Sequence, residues 1–211
     1  MSNPKKNPLT DPGVYIVDDD EAVLDSLSLL LRLKGLKPRA FASAEVFLDF
    51  WRPECRGCLL LDWRMEGMDG PTLQQTLAER GSRLPIVFIT AYGDAAKARL
   101  AFKGGAVDFL EKPLDDQILS ASILEAINQD AWQWQQEEQQ SEVASRMGRL
   151  TPRERQVLEQ VLAGLRNQEI AQHLQISPRT VEVFKARMME KMQARTLPDL
   201  VRMVSLDLNP K

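Results

Sequence analysis

Short apolar runs alternate with amphipathic segments along the first half of the chain. The runs are VYIVD (14–18), KPRAF (37–41), CLLLD (58–62), PIVFIT (85–90) and VDFLE (107–111). Each run has the length of one strand, and the segments between them repeat apolar residues at helical spacing. Strands that alternate with helices form parallel sheets with helices on both faces. The pattern therefore predicts an α/β domain with a doubly wound, flavodoxin-like, five-stranded parallel sheet.

One long helix is predicted after the fifth strand, because residues 115–147 contain neither glycine nor proline. The apolar seam predicted for this helix consists of Ile118, Leu124, Ile127, Ala131 and Trp134. The seam fades at QQEEQQSE, so the first half is expected to pack and the second half to be a solvated connector. A coiled-coil dimer through this helix is the alternative, although three sustained heptads are not present.

Closely spaced helices without a strand follow the sequence MGRL. In TPRERQVLEQVLAG, Thr151 is the predicted N-cap, Pro152 the first helical residue and Glu154 the partner in a capping box. A second helix, NQEIAQHLQ, is predicted to be capped by Asn167. A third, SPRTVEVFKARMMEKMQ, begins at Ser177, and TLPDLVRMV forms a fourth. Two short helices joined by a tight turn, the second of them basic, predict an all-α helix-turn-helix domain.

Charge divides the chain at the same place. Residues 1–148 hold 16 Lys and Arg against 23 Asp and Glu, whereas residues 149–211 hold 11 against 7. The basic second part is suited to bind a polyanion. No apolar run of about 18 residues is present and no apolar segment follows the N-terminal lysines, so we expect a cytoplasmic protein that makes no membrane contact.

The two cysteines form the sequence CRGC at positions 55 and 58. A redox pair needs its first thiolate at a helix N-terminus, whereas this pair leads into a predicted strand. A zinc site needs two further ligands, and the single histidine, His173, is distant in sequence. We therefore expect reduced cysteines with a structural role.

Ionisable and hydroxyl side chains follow four of the five predicted strands. They are Asp18, Asp19, Asp20 and Glu21 after the first strand, Asp62 at the end of the third, Thr90 at the end of the fourth and Lys112 after the fifth. The carboxyl ends of parallel strands meet at one edge of the sheet, so these side chains are expected to converge. Taken alone, Asp62 could equally cap the turn that follows it.

Convergence of these groups favours phosphoryl chemistry assisted by a metal. Carboxylates held close together repel one another unless a cation lies between them, and oxygen ligands suit Mg²⁺. A lysine and a hydroxyl beside the metal can contact phosphoryl oxygens. Since the chain has no glycine-rich phosphate loop, the predicted phosphate carrier is an aspartate that acts as the nucleophile.

The stretches VYIVDDDE, LLLDWRM, ITAYGD and GAVDFLEKP resemble the receiver domain of two-component response regulators. The segment from LTPRERQ to MMEKM resembles the DNA-binding domain of the LuxR/NarL group, and together the two resemble the FixJ subfamily over about residues 13–206. The resemblance implies a regulator that a sensor histidine kinase phosphorylates on aspartate. It then forms a homodimer, binds promoter DNA and acts through RNA polymerase. It also implies a phosphoacceptor domain that assists its own phosphorylation and dephosphorylation, and not a turnover enzyme.

The resemblance assigns roles to the residues at the strand ends. Asp62 matches the phosphoacceptor, Thr90 the switch hydroxyl, Lys112 the phosphate-contacting lysine and Phe109 the switch aromatic residue. The implied Mg²⁺ ligands are Asp18, Asp19, Asp62 and the backbone carbonyl of Arg64, and Asp19 is the better match for the direct ligand. Asp20 and Glu21 are expected to be helix N-terminal charges. The bond between Lys112 and Pro113 is expected to be cis.

Two residues depart from the receiver pattern. Glu66 stands where most receivers have proline and places another acid near Asp62. Tyr92 stands where close FixJ relatives have histidine. Both departures are expected to affect the phosphate site, although an exposed loop aromatic is an equally good interpretation of Tyr92.

The third helix of the C-terminal part is the predicted recognition helix. Its predicted DNA-contacting residues are Arg179, Thr180, Glu182, Val183, Lys185, Ala186, Arg187 and Lys191. The basic members suit phosphates or guanine, and Glu182 can accept from cytosine N4. Val181, Met188 and Met192 are expected in the core by their spacing. Phe184 replaces a histidine that is common in the family, which removes one expected phosphate contact.

The predicted domains are a flexible N-terminus (1–12), a receiver domain (13–127), a helical linker (128–148) and a LuxR-type helix-turn-helix domain (149–206). A haloacid-dehalogenase-like hydrolase, which also uses an aspartyl nucleophile and Mg²⁺, needs a second aspartate two residues later, where this chain has Arg64. A receiver whose C-terminal part has lost DNA binding is a third possibility, and the intact helix-turn-helix pattern speaks against it.

Overall fold

A computed structural model of the protein describes residues 11–208. The expectation of a flexible segment at 1–12 therefore falls almost entirely outside the described residues. The elements are β1 Gly13–Val17, α1 Glu21–Leu33, β2 Pro38–Phe41, α2 Ala44–Phe50, β3 Gly57–Asp62, α3 Gly70–Glu79, β4 Ile86–Thr90, α4 Ala95–Lys103, β5 Asp108–Glu111, α5 Asp116–Gly148, α6 Pro152–Leu162, α7 Asn167–Leu174, α8 Pro178–Met192 and α9 Leu197–Leu208.

The predicted doubly wound sheet is confirmed. Its five strands are all parallel and lie in the order β2-β1-β3-β4-β5. The three central strands are buried at every position, as expected where helices cover both faces of a sheet. The weak run KPRAF forms the edge strand β2, which is only half-buried.

Two apolar layers lie on opposite faces of the sheet, because successive residues of a strand point to opposite sides. Leu59 and Leu61 of β3 belong to the layer with α2 and α3, whereas Cys58 and Leu60 belong to the layer with α1 and the beginning of α5. Both cysteines are free and buried, as expected from the sequence.

Helix α5 is one continuous helix of 33 residues, as predicted. Its predicted seam was wrong except at Ile127, which is half-buried and packs against the layer that contains α1. Ile118 and Leu124 are 56% and 60% exposed. The buried positions in its first half are Leu119, Ser122, Ile123, Ala126 and Asp130. Both sets of positions have helical spacing, and the fit against the sheet decided between them.

Asp130 was not recognised in the sequence, because charged residues of a helix are expected to face solvent. In the structure Asp130 lies on the packed face of α5 and is buried. The guanidinium of Arg56, which precedes β3, donates from Nε to both carboxylate oxygens of Asp130 at 3.1 and 2.9 Å and from Nη2 to its carbonyl at 3.2 Å. The backbone N–H of Gly57 donates to the same carboxylate at 3.1 Å. This cluster fixes the middle of α5 to the beginning of β3.

The chain divides into two compact units, the first ending at Gln133 and the second beginning at Trp134. The second unit has its own core from α6 to α9, which includes Val143 of α5. Val143 is 8% exposed, so the second half of α5 is not solvated throughout. The predicted domain boundaries stay predictions.

Helix caps in the second unit follow the sequence with one exception. Glu154 and Thr151 form the predicted capping box at the beginning of α6, and Ser177 caps α8. Asn167, the predicted cap of α7, is instead its first helical residue. The cap position is Arg166, whose backbone N–H donates to the Glu169 carboxylate at 2.7 Å.

Candidate functional site

The carboxyl ends of β1, β3 and β5 bring three charged side chains together. The ammonium of Lys112 lies 2.8 Å from Asp18 Oδ2 and 2.8 Å from Asp62 Oδ1. Asp18 is 2% exposed and Asp62 is 7% exposed. The bond between Lys112 and Pro113 is cis, as expected. The convergence predicted from the strand ends is therefore present for these residues.

Burial and charge oppose one another at this cluster. Burial raises the pKa of Asp62, and hydrogen bonds from Lys112 and from the backbone N–H of Arg64 offset part of this effect. The nearby charge of Asp18 raises the pKa of Asp62 further. Although burial acts against the ammonium, its hydrogen bonds to Asp18 and Asp62 raise the pKa of Lys112. The site therefore concentrates negative charge that a single lysine only partly balances.

The donor set of this site fits Mg²⁺. Asp18 and Asp62 both direct carboxylate oxygens toward the Lys112 ammonium. Mg²⁺ binds oxygen donors of this kind together with several waters. Asp19 is exposed, and its carboxylate accepts from the backbone N–H of Glu66 at 2.8 Å. Within residues 11–208, no group of three or more His, Cys, Asp or Glu side chains is placed to hold a metal. A metal here would accordingly depend on one or two carboxylates and on water.

Two of the acids after β1 begin a helix. Asp20 is the N-cap of α1 and accepts from the backbone N–H of Ala22, and Glu21 lies in the first turn. Their expected role as helix N-terminal charges is confirmed. The side chain of Glu66 is exposed at the β3–α3 loop.

Thr90 is buried and bonds to the loop that follows β4. Its hydroxyl donates to the carbonyl of Tyr92 at 3.4 Å and accepts from the Tyr92 N–H at 3.2 Å. Lys97 also donates to the Tyr92 carbonyl, at 2.6 Å, and Glu111 accepts from the Gly93 N–H at 3.0 Å. These bonds hold the β4–α4 loop beside the site, with the ring of Tyr92 72% exposed.

Phe109 lies in a group of three aromatic rings on the α3 and α4 side of the sheet. Its centroid is 5.5 Å from that of Trp63 and 6.5 Å from that of Phe88. Sequence reasoning missed Trp63, which directly follows Asp62 and is 8% exposed. The available signal was a large aromatic residue at the end of a strand, next to the candidate acceptor.

Helix α8 of the second unit has a buried face and an exposed face. Val181, Met188 and Met192 are buried, as their spacing predicted. The exposed members of the predicted DNA-contacting set are Arg179, Glu182, Val183, Ala186 and Arg187. Phe184 is half-buried and packs against the core of the unit. The exposed residues lie on one side of the helix, because the opposite side packs against the core of the unit.

Two basic residues of the predicted set are engaged within the domain. Lys185 donates to the side-chain oxygen of Asn167 at 3.0 Å and so connects α8 with α7. Lys191 lies 2.6 Å from the carboxylate of Glu154, which is 2% exposed and belongs to the capping box of α6. Both lysines thus contribute to holding the helices of the domain together.

A five-stranded receiver-type sheet followed by a helix-turn-helix domain defines the class of DNA-binding response regulators. The chain matches the family "Response regulator receiver domain" over residues 14–124 and the family "Bacterial regulatory proteins, luxR family" over residues 148–204. It is 46% identical to "Transcriptional regulatory protein FixJ" of Azorhizobium caulinodans over 193 residues, which cover 92% of each chain.

Two further relatives extend the same similarity. The chain is 42% identical to "Response regulator protein TmoT" of Ectopseudomonas mendocina over 90% of this chain and 86% of that one. It is similar to the solved structure of the response regulator StyR, with a TM-score of 0.85 and 41% identity over 92% of this chain and 98% of that chain. The chain belongs to the FixJ subfamily of two-component response regulators.

Membership of this family makes the chain a transcription regulator with a receiver domain and a LuxR-type DNA-binding domain. Receiver domains generally bind Mg²⁺ for phosphorylation, and they imply a histidine kinase as partner. In the part of the chain from residue 11 to residue 208, no helix has the length and apolar character that a membrane crossing needs.

Proposed function

We propose that Asp62 accepts a phosphoryl group from a phosphohistidine of a sensor kinase in the cytoplasm, and that this controls binding of promoter DNA. The observation that carries the proposal is the Lys112 ammonium, which lies 2.8 Å from both Asp18 and Asp62. A lysine so placed can contact phosphoryl oxygens on Asp62 without a change of partner. The proposed domains are the receiver at 13–127, the linker at 128–148 and the DNA-binding domain at 149–206.

The proposed chemistry uses Asp62 as the nucleophile. One carboxylate oxygen attacks the phosphorus, the bond from phosphorus to the histidine nitrogen breaks, and the imidazole leaves. Lys112 balances charge on the phosphoryl oxygens, and the Thr90 hydroxyl can donate to one of them. Asp19, Asp62 and the carbonyl of Arg64, with Asp18 close by, would hold Mg²⁺, which would further neutralise the charge on the phosphoryl oxygens. The receiver thereby assists its own phosphorylation and dephosphorylation without acting as a turnover enzyme.

Labelling with a radioactive acyl phosphate tests the acceptor. We expect Mg²⁺-dependent, acid-labile label on the wild-type protein and none on Asp62→Asn, because an amide cannot form the acyl phosphate. Asp25→Asn is the matched control, since Asp25 is an exposed acid of the same domain. Full labelling of the Asp62→Asn variant would remove Asp62 from the mechanism.

The proposed response to phosphorylation is dimerisation through the face formed by α4 and β5. A phosphoryl group adds about 1.5 to 2 negative charges, which attract Thr90 and Lys112. Movement of Thr90 releases the β4–α4 loop from its present bonds and opens space for Phe109 to turn inward. Leu100 and Phe102 of α4 are 60% and 50% exposed, so this face offers apolar surface to a second copy.

The proposed output is recognition of DNA by α8 and recruitment of RNA polymerase by the bound dimer. Arg179 and Arg187 are exposed and suited to phosphates or guanine, while Glu182, Val183 and Ala186 face the same way for base contacts. Thr180, Lys185 and Lys191 complete the proposed contact set. Dimerisation strengthens binding because the second half-site is met at a high effective concentration.

A further inference from the structure

Trp63 directly follows the proposed acceptor Asp62 at the end of β3, and its backbone is bonded to β4 one residue before the proposed switch residue Thr90. Asp62 of β3 is paired with Ile89 of β4, and the Trp63 N–H donates to the Ile89 carbonyl at 2.9 Å. The register therefore continues by one residue and brings Trp63 alongside Thr90. The Trp63 and Thr90 backbones are consequently neighbours just past the end of β3, and both residues are buried.

The indole of Trp63 also covers the rings of the next two strands. Its centroid lies 5.0 Å from that of Phe88 and 5.5 Å from that of Phe109, with an interplanar angle of 79° for the second pair. Phe88 and Phe109 are themselves paired in the register of β4 and β5. The three rings thus form one layer across β3, β4 and β5.

The three rings differ in their freedom to move. Trp63 is 8% exposed and Phe88 is fully buried, whereas Phe109 is only half-buried and packs at the margin of the core. Phe109 is therefore the ring that can change rotamer at the least cost in packing. In this structure the Phe109 ring contacts the edge of the Trp63 indole, and a change of rotamer breaks that contact.

We infer that Trp63 is a positioning residue that holds Phe109 in the rotamer of this structure, against the inward rotation proposed for the phosphorylated protein, and so couples Asp62 to the face formed by α4 and β5. This inference rests on the proposed function of Asp62. An edge-to-face aromatic pair favours the contacting arrangement by about two- to tenfold beyond simple burial. Because the Trp63 backbone is bonded to β4 next to Thr90, a displacement of Thr90 and a rotation of Phe109 both act on Trp63.

The test uses the full chain with beryllium fluoride and Mg²⁺ as the phosphoryl mimic. The dimer dissociation constant is measured by sedimentation with and without the mimic, and the Phe109 ring is followed by ¹⁹F NMR after incorporation of 4-fluorophenylalanine, with Phe109→Leu to assign its signal. Because the leucine variant loses the contact that holds Phe109 in place, we expect Trp63→Leu to raise the dimer affinity without the mimic. The gain that the mimic produces should then be smaller by about two- to tenfold, and the Phe109 signal should shift. Trp63→Phe keeps an aromatic edge and should restore both.

Trp51→Leu is the matched control, because Trp51 is a buried tryptophan of the same core that lies at the end of α2. It should lower the thermal midpoint as Trp63→Leu does while leaving the mimic-induced gain and the Phe109 signal unchanged. Trp63→Met serves if the leucine variant fails to fold. Wild-type behaviour of the Trp63 variants in both measurements, or equal changes in Trp51→Leu, overturns the inference.

Failure of the proposed function has a different signature. In that case the wild-type protein itself gains no dimer affinity from the mimic. The Phe109 signal without the mimic still reports on the contact, because Trp63→Leu should shift it and Trp63→Phe should not. An unshifted signal in Trp63→Leu contradicts the positioning role whatever the fate of the acceptor.

Discussion

Asp62 lies where the fold acts against its charge. Its side chain is buried, the carboxylate of Asp18 is close by, and both share the single ammonium of Lys112. A carboxylate of this kind is poorly stabilised in the resting protein, so groups that bring positive charge to it are favoured. The acidic cluster is thus suited to its proposed chemistry and unfavourable for stability, as is common at functional sites.

Replacement of Asp62 by asparagine is therefore expected to stabilise the fold at neutral pH. Since the pKa of Asp62 is raised in the folded protein, its ionisation is harder there than in the unfolded chain. The resulting destabilisation is absent below the ordinary value of 3.8 and complete above the raised value. Urea unfolding of wild type and Asp62→Asn should be compared between about pH 3 and about pH 7. The variant should show a gain in the free energy of unfolding that fades as the pH falls. A gain of the same size at every pH contradicts this origin.

Helix α5 carries two ion pairs that differ in burial. Asp130 and Arg56 have side chains that are 8% and 9% exposed, and their bonds join α5 to the beginning of β3. Asp116 and Lys34 form a second ion pair of the same helix at 2.8 Å, but their side chains are 55% and 32% exposed. The two pairs have the same chemistry and differ in their access to water.

Removal of the acid should distinguish these two pairs. Asp130→Ala leaves the Arg56 guanidinium buried without its carboxylate, and we expect a loss of about 3–5 kcal/mol in the free energy of unfolding. Asp116→Ala should cost about 0–1 kcal/mol, because both partners are solvated. Chemical denaturation of the full chain measures both. Equal losses for the two variants would contradict a role of burial in the stabilisation of α5.

Helix α8 divides its residues between packing and the proposed contact with DNA. Arg187 is exposed, whereas Lys185 and Lys191 are bonded to Asn167 and Glu154. Substitution of either lysine therefore disturbs the domain as well as its charge. Substitution of the exposed Arg187 removes charge without breaking either of these two bonds.

Arg187→Ala is expected to weaken DNA binding broadly and to reduce the slope of log affinity against log salt by about 1, as loss of one phosphate contact does. Arg202→Ala removes another exposed charge, from α9, and should leave the slope unchanged. Binding titrations at several salt concentrations measure both. Identical slopes for wild type and Arg187→Ala would place Arg187 outside the interface.

The proposed dimer connects phosphorylation of Asp62 in the receiver with DNA binding by α8 in the second unit. The α4 and β5 face carries Leu100, and the proposed signal reaches it through Thr90 and Phe109. The alternative is a dimer through α5, whose Trp132 is 62% exposed and whose second half is rich in glutamine and glutamate. The two dimers require different surfaces and can be separated by one substitution.

Leu100→Asp is expected to abolish dimerisation of the protein treated with the phosphoryl mimic, because it places a charge in an apolar contact. Leu29→Asp is the matched control, since Leu29 of α1 is also 60% exposed. Sedimentation of the full chain with and without the mimic gives the answer. A dimer that persists in Leu100→Asp and is lost in Trp132→Ala favours the connector helix.

The limits of the strands and the convergence of the site follow from the pattern of the sequence. Strand limits lay within one residue of their predicted positions because apolar runs buried on both faces end where the polar loops begin. Asp18, Asp62 and Lys112 were identifiable for the same reason, since parallel strands end at a common edge. The capping box of Thr151 and Glu154 was local, and local patterns are carried in full by the sequence.

Packing selects among local patterns that are equivalent in the sequence. In α5 the rows containing Leu119 and Leu124 both have helical spacing, and only the sheet beneath selects the first. The pairing of Arg56 with Asp130 and the contact of Trp63 with Phe109 join residues that are far apart in the chain. Nothing in a local pattern specifies such partners. They arise when the layers pack, because burial then leaves each charge and each ring to be satisfied by whichever neighbour the fold provides.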